Sequence, residues 1–135
     1  MDDITSLLVA HLDEVHAPIP IYREQKKGGF QEPSFFVQRV SLGVTPRIFE
    51  QQARDYRFTI VYFPAPDRRN EDMDKMAEWF ASEFTRLPFG HFKDREIVKN
   101  EEELHYSFTL SVTVARVQDD TMMSELEVQG GLKNG

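Results

Sequence analysis

The sequence predicts an α+β fold, a two-layer sandwich in which two helices pack on one face of a largely antiparallel sheet, with an extended arm connecting two strands. Two segments repeat apolar residues every three or four positions, and others alternate between apolar and polar residues. Their order is helix, strands, helix, strands, which favours helices layered on a sheet. We place this single domain at residues 1–117, followed by a polar tail at residues 118–135 that is either interface-forming or flexible.

An amphipathic helix of about three turns is predicted near the N-terminus. The residues that share one helical face are Ile4, Leu7, Leu8, His11, Leu12 and Val15. Asp2 and Asp3 are both suitable caps for its first turn. Pro18 and Pro20 end the helix, and the extended backbone that they impose predicts a short edge strand over residues 19–23.

Two strands with apolar residues on both faces are predicted next, over residues 34–44 and 57–63. Pro64 and Pro66 stop the second strand. The connecting residues 45–56 are too many for a tight hairpin, so we predict that they extend both strands outward as an arm. The alternative is that their apolar side chains fold back on the helices of their own domain.

The second half of the chain contains the clearest helix, which follows the polar residues 67–70 and has Asn70 as its expected N-cap. Its apolar residues are Met73, Met76, Ala77, Phe80, Phe84 and Leu87. Pro88 closes the helix. A strand is predicted within residues 89–99, and residues 104–117 alternate cleanly, as a strand with one buried face does.

The motifs that would indicate catalysis are missing from the sequence. It has no Gly-rich phosphate loop, no nucleophile elbow and no pair of histidines around a glutamate. It has no cysteine, which excludes disulfides, thiolate metal sites and thiol catalysis. The four histidines lack metal-ligand spacing and are interpreted as surface or boundary residues. We therefore expect no enzyme activity, no cofactor and no metal.

The formal net charge of −7 disfavours binding to nucleic acid, because affinity for phosphate backbones depends on Lys and Arg. No stretch of about 18 apolar residues occurs, and the N-terminus lacks the pattern of a secretory signal. We expect a protein that stays in the compartment where it is made and makes no contact with a membrane.

A surplus of apolar surface indicates self-association. The two-faced strands, the arm and the tail carry more apolar residues than a lone two-layer domain can cover, and such patches usually mark contact surfaces. A ring follows when a head-to-tail contact closes. The candidate interface residues are Arg47, Ile48, Phe49, Arg54, Tyr56, Arg57, Met122, Met123, Leu126 and Leu132. Trp79 is either a boundary core residue or a further interface anchor.

Several short sequence motifs, typical of fold and packing, follow one another along nearly the full chain. They are Gly29-Phe30, Glu32-Pro33-Ser34-Phe35-Phe36-Val37, Tyr56-Arg57-Phe58-Thr59-Ile60-Val61-Tyr62-Phe63-Pro64, Met76-Ala77-Glu78, the amphipathic last strand and Gly131-Leu132-Lys133. In this order they resemble the phage tail terminator-like proteins of tailed phages and of defective prophages in Gram-positive bacteria. Ser107 and Thr109 depart from the more apolar pattern of that family's last strand.

The resemblance implies a structural subunit that forms a sixfold ring on the head-proximal end of the tail tube. The ring would stop tube polymerisation and join the tail to the neck or collar. The partners implied are other copies of the chain, the tube protein, a neck or head–tail connector protein and, in a contractile tail, the sheath protein. Assembly would take place in the cytoplasm of the bacterial host, and the ring would end up in the virion or tail particle.

Two other interpretations stay open. A tail-completion or head-closure protein of the neck shares small size, acidity and ring assembly with a tail terminator. A small ferredoxin-like enzyme or ligand-binding domain belongs to a different class, because two helices on an antiparallel sheet host many activities. That second alternative requires a pocket with convergent polar groups.

Overall fold

A computed structural model of the protein describes residues 4–24, 29 and 31–116 and the backbone of residues 126–128. The described part of the chain contains two helices and seven strands. The elements in chain order are α1 (Ile4–His16), β1 (Ile21–Tyr22), β2 (Ser34–Pro46), β3 (Gln51–Phe63), α2 (Arg69–Ser82), β4 (Arg86–Leu87), β5 (Gly90–Lys99), β6 (Leu104–Arg116) and β7 (Leu126–Val128). The α+β class predicted from the sequence is confirmed.

The strands form a sheet in the order β1-β2-β3-β6-β5-β4, and β7 pairs with the end of β6. The edge strand β1 runs parallel to β2, and the other pairings are antiparallel. The central strands are long, since β2, β3 and β6 each contain 13 residues. The predicted edge strand is therefore present, but it is only two residues long.

The core lies between the helices and one face of the sheet. The register sets Phe58 of β3 opposite Phe108 of β6, and Ile60 opposite Tyr106, so these side chains share the face that the helices cover. Phe80 of α2 stacks on Tyr106 with ring centroids 4.6 Å apart. Fully burying each such side chain stabilises the fold by about 1.5–3 kcal/mol, and all of these residues are buried.

Helix α2 differs from its predicted form at both ends. It begins at Arg69, after a 3-10 turn over Pro66–Arg68, so the prediction that Asn70 is the N-cap was wrong. The first-turn carboxylate of Asp72 instead reaches back and accepts hydrogen bonds from the backbone N–H of Ala65 (2.9 Å) and the hydroxyl of Tyr62 (2.8 Å). At the other end the helix stops at Ser82, and the buried Leu87 belongs to β4.

The face of the sheet opposite the helices, called the outer face below, carries the alternate residues of the same strands. Its middle is polar: Thr59 and Ser107 hydrogen-bond to each other across β3 and β6 at 3.0 Å, and Ser111 donates to Asp55 at 2.5 Å. At the end of the sheet where β2 begins and β3 ends, Phe36 and Val61 are buried on this face. The outer face therefore joins a polar centre to an apolar end.

Candidate functional site

The turn between β2 and β3 exposes two large apolar side chains. This turn, residues 47–50, is called the hairpin tip below. Ile48 is 73% exposed and Phe49 is 86% exposed, the highest values among the large apolar residues described. Two neighbouring apolar residues that are widely exposed in a polar chain are typical of a contact surface.

The backbone of the hairpin tip holds Phe49 in an unfavourable conformation. Phe49 and Glu50 both have φ of 60°. In two-residue hairpin turns with positive φ at both central positions, these positions are usually occupied by Asn and Gly. The turn is closed by hydrogen bonds from the N–H of Arg47 to the carbonyl of Gln51 (2.7 Å) and from the N–H of Gln51 to the carbonyl of Ile48 (3.4 Å). The left-handed conformation costs a residue with a side chain about 1–2 kcal/mol. Strain of this kind often accompanies function.

Three further predicted interface residues, Arg54, Tyr56 and Arg57, lie along β3, and each forms hydrogen bonds within its own subunit. Tyr56 is 4% exposed and lies in the core beside Phe58. Its hydroxyl accepts a hydrogen bond from Arg54 at 3.1 Å. Arg57 lies on the outer face, where its Nη1 donates to the carbonyl of Asp94 (2.9 Å) and to the hydroxyl of Thr109 (3.1 Å). Tyr56 therefore does not present its ring at the surface of the subunit.

The remaining predicted interface residues belong to the C-terminal part of the chain. Leu126 lies in β7, whose backbone pairs antiparallel with β6 so that Leu126 is opposite Arg116. Met122, Met123 and Leu132 lie outside the described residues.

A cavity of about 500 Å³ lies on the outer face, at the end of the sheet far from the hairpin tip. Its lining includes three apolar residues and three glutamates, which are Phe36, Val61, Phe63, Glu32, Glu102 and Glu103. The sequence patterns did not predict this cavity. The signal that could have indicated it is the apolar residues on the second face of β2 and β3, because they fall at the same end of neighbouring strands once the register is known.

The acidic side of this cavity is held in place by the turn between β5 and β6. The side-chain oxygen of Asn100 accepts hydrogen bonds from the backbone N–H groups of Glu102 and Glu103, both at 2.8 Å. The carboxylate of Glu103 lies 2.8 Å from Nε2 of His105. Glu32, on the other side, lies 3.9 Å from Arg69. The cavity therefore combines an apolar lining with carboxylates on a defined turn, which suits a cationic or amphipathic side chain.

A second cavity, of about 440 Å³, lies at the opposite end of the sheet, near the hairpin tip. Its lining includes Arg47, His91 and Lys93 together with the single carboxylate of Asp55. Among the described residues, the lining of the first cavity thus has three glutamates and one histidine, and that of the second has Arg47, Lys93 and His91 with one aspartate. Charge separated in this way along a subunit favours contacts in which unlike ends meet.

Trp79 is half-buried against the core. Its ring makes an edge contact with His16, with centroids 4.2 Å apart, and stacks on Phe84 at 5.3 Å. Burial in this cluster lowers the pKa of His16 below its usual 6.5. These contacts place Trp79 at the boundary of the core, in agreement with the first of its two interpretations.

Within residues 4–24, 29 and 31–116, no group of three or more His, Asp and Glu side chains is arranged to hold a metal ion. None of the helices described is long and apolar enough to cross a membrane.

A comparison with protein-family models gives a match to the model described as phage tail terminator protein, over residues 3–122. A comparison with curated proteins finds no match. The family match spans both helices and the sheet up to the end of β6, and it confirms the resemblance inferred from the order of the sequence motifs. The chain therefore belongs to the phage tail terminator protein family and is a structural protein of the phage tail.

Proposed function

We propose that this protein is a tail terminator whose subunits form a ring, a hexamer, on the head-proximal end of the tail tube. The ring stops tube polymerisation and joins the tail to the neck or collar. The observation that carries the proposal is the exposure of Ile48 and Phe49 in a member of this family. Apolar side chains held out on a hairpin stabilise nothing in an isolated subunit, whereas their burial against a partner contributes about 1.5–3 kcal/mol each.

In this proposal the two helices and the sheet act as a two-layer sandwich, and the hairpin of β2 and β3 is the arm that reaches the neighbouring subunit. The domain spans residues 1–117, and residues 118–135 add to the contact between subunits. Arg47, Ile48 and Phe49 form the part of the proposed interface that lies on the hairpin tip. The internal contacts of Tyr56 and Arg57 support a role in holding the arm rigid.

Capping requires a ring with two different faces. One face complements the last ring of the tube protein, and the other lacks the adhesive surface that would let the tube continue. The proposed partners are the tube protein, a neck or connector protein and, in a contractile tail, the sheath protein. The net charge of −7 suits a protein that makes no specific contact with DNA. Assembly takes place in the host cytoplasm.

The experiment compares Phe49→Asp with Val15→Asp. Both positions carry exposed apolar side chains, but Val15 lies on α1 and is 56% exposed. Sedimentation velocity measures the oligomer, circular dichroism verifies the fold, and electron microscopy measures tube length when tube protein polymerises with each variant. We expect the wild type and Val15→Asp to form rings and to limit tube length. We expect Phe49→Asp to stay folded and monomeric and to leave tubes to grow.

An unchanged oligomer for Phe49→Asp would contradict the role of the hairpin tip. Tubes that grow equally long with and without the wild-type ring would contradict the capping function itself. A ring that binds a neck protein but leaves tube growth unaffected would identify the chain as another neck component, such as a tail-completion or head-closure protein.

A further inference from the structure

We propose that the hairpin tip of one subunit docks in the outer-face cavity of the next copy, where Arg47 meets the carboxylates of Glu102 and Glu103. The inference rests on the proposed ring and specifies its contact. The occupant of the cavity is thus a second copy of this chain.

The tip and the cavity cannot meet within one subunit. The tip follows the last residue of β2, whereas the cavity lies where β2 begins and β3 ends. A strand of 13 residues at about 3.3 Å per residue separates them by roughly 40 Å. A contact between opposite ends of two copies is head-to-tail, and such contacts generate closed rings or open filaments. A ring is therefore one of the two outcomes that this geometry allows.

The apolar parts of the two surfaces match in size. The cavity has a volume of about 500 Å³, and its lining includes Phe36, Val61 and Phe63. Cavities of about 300–1,000 Å³ hold small ligands in proteins, so the space suits the ring of Phe49 with part of Ile48. Transfer of these two exposed side chains into the cavity removes the largest apolar exposure of the hairpin from water.

The two surfaces differ in charge. At the tip end Arg47 lies close to Glu50 in the same turn, and Lys93, His91 and Asp55 lie nearby, whereas the described lining of the cavity presents Glu32, Glu102 and Glu103 with His105. A guanidinium binds carboxylates through paired hydrogen bonds and keeps its charge at any physiological pH. Two acidic cavities would repel each other, whereas Arg47 of a tip attracts the glutamates of a cavity, so the charges favour the head-to-tail orientation.

The test is a charge exchange between Arg47 and Glu102. Arg47→Glu and Glu102→Arg each place like charges in the proposed contact, and we expect each to weaken self-association by about tenfold or more. The double variant restores opposite charges with their positions exchanged, and we expect it to recover association to within about threefold of the wild type. Glu78→Arg is the matched control, because Glu78 is exposed on α2, away from the outer face. Sedimentation equilibrium gives the association constants.

A mixture of the two single variants supplies a second test. Each tip then finds a cavity of opposite charge on the other variant, so the mixture should associate more tightly than either single variant alone. Single variants that associate like the wild type would overturn the inference, as would a double variant that stays monomeric. A wild-type protein that is monomeric both alone and with tail tubes would instead refute the proposed ring, whereas an intact ring unaffected by the charge exchange refutes only this contact.

Discussion

Replacing Phe49 with Gly should change the stability of the subunit and its self-association in opposite directions. The substitution acts on a residue that has φ of 60° and is 86% exposed. Most substitutions that weaken an interface leave the stability of the subunit unchanged or lower it. A variant that folds better and assembles worse would show that the native residue is kept at a cost to the fold.

The expected magnitudes follow from these two properties. Relief of the left-handed conformation contributes about 1–2 kcal/mol, and the greater freedom of Gly in the unfolded chain offsets about 0.5–1 kcal/mol of this. The free energy of unfolding should therefore rise by about 0–1.5 kcal/mol, with a rise in Tm of up to about 5 °C for a domain of this size. Loss of a buried Phe from the contact, at about 1.5–3 kcal/mol, should weaken self-association by roughly tenfold to a hundredfold.

The assay must separate the two effects, because association itself raises Tm. Stability is therefore compared in an Arg47→Glu background, at a protein concentration at which sedimentation shows the subunits to be monomeric, by urea unfolding followed by circular dichroism. Association is measured by sedimentation in the otherwise native sequence. Glu50→Gly is the control, because it relieves the second positive φ of the tip without removing an apolar side chain. If Phe49→Gly destabilises the monomer, or if it associates as tightly as the wild type, the reasoning is wrong.

Two other predictions concern the fold. Asp72→Ala removes the hydrogen-bond acceptor of both Tyr62 and Ala65. In urea unfolding it should lower the free energy of unfolding by about 2–3 kcal/mol, whereas Tyr62→Phe should lower it by about 1 kcal/mol. Equal losses for the two variants would contradict this prediction. Burial lowers the pKa of His16 below 6.5. The contribution of the neutral His16 ring to the free energy of unfolding is therefore full above pH 6.5, and it is lost as the pH falls through 6.5 towards the lowered pKa. His16→Gln should flatten the profile of Tm against pH below pH 6.5. An unchanged slope would show that the pH dependence does not come from His16.

The periodicity of the sequence was sufficient to identify most of the elements. The alternation over residues 104–117 corresponds to β6, and the apolar spacing after Asp2 and Asp3 corresponds to α1. These patterns are local, because each side chain's direction follows from the backbone of its own segment. The sequence singled out Ile48 and Phe49 as apolar residues in a polar run, but only the structure decided that they are exposed and do not fold back on the helices.

Other features depend on which strand lies beside which. Tyr56 stood among the predicted contact residues, but its pairing opposite Leu110 places it on the helix-covered face, where it is buried. Leu87 fits the helical spacing, yet the chain leaves the helix at Ser82 and buries Leu87 from a strand. In both cases the sequence pattern indicated that the side chain is covered by other groups, but it could not identify which element covers it.

The sequence by itself therefore determined the α+β class and the family, because these depend on composition, order and local periodicity. Only the tertiary structure decided where the acidic cavity lies and that it is far from the tip. The cavity is formed by three strands and two turns from distant parts of the chain, and their register brings Phe36, Val61 and Glu103 together. A periodic pattern states which side chains share a face, but it contains no information on what lies across from that face.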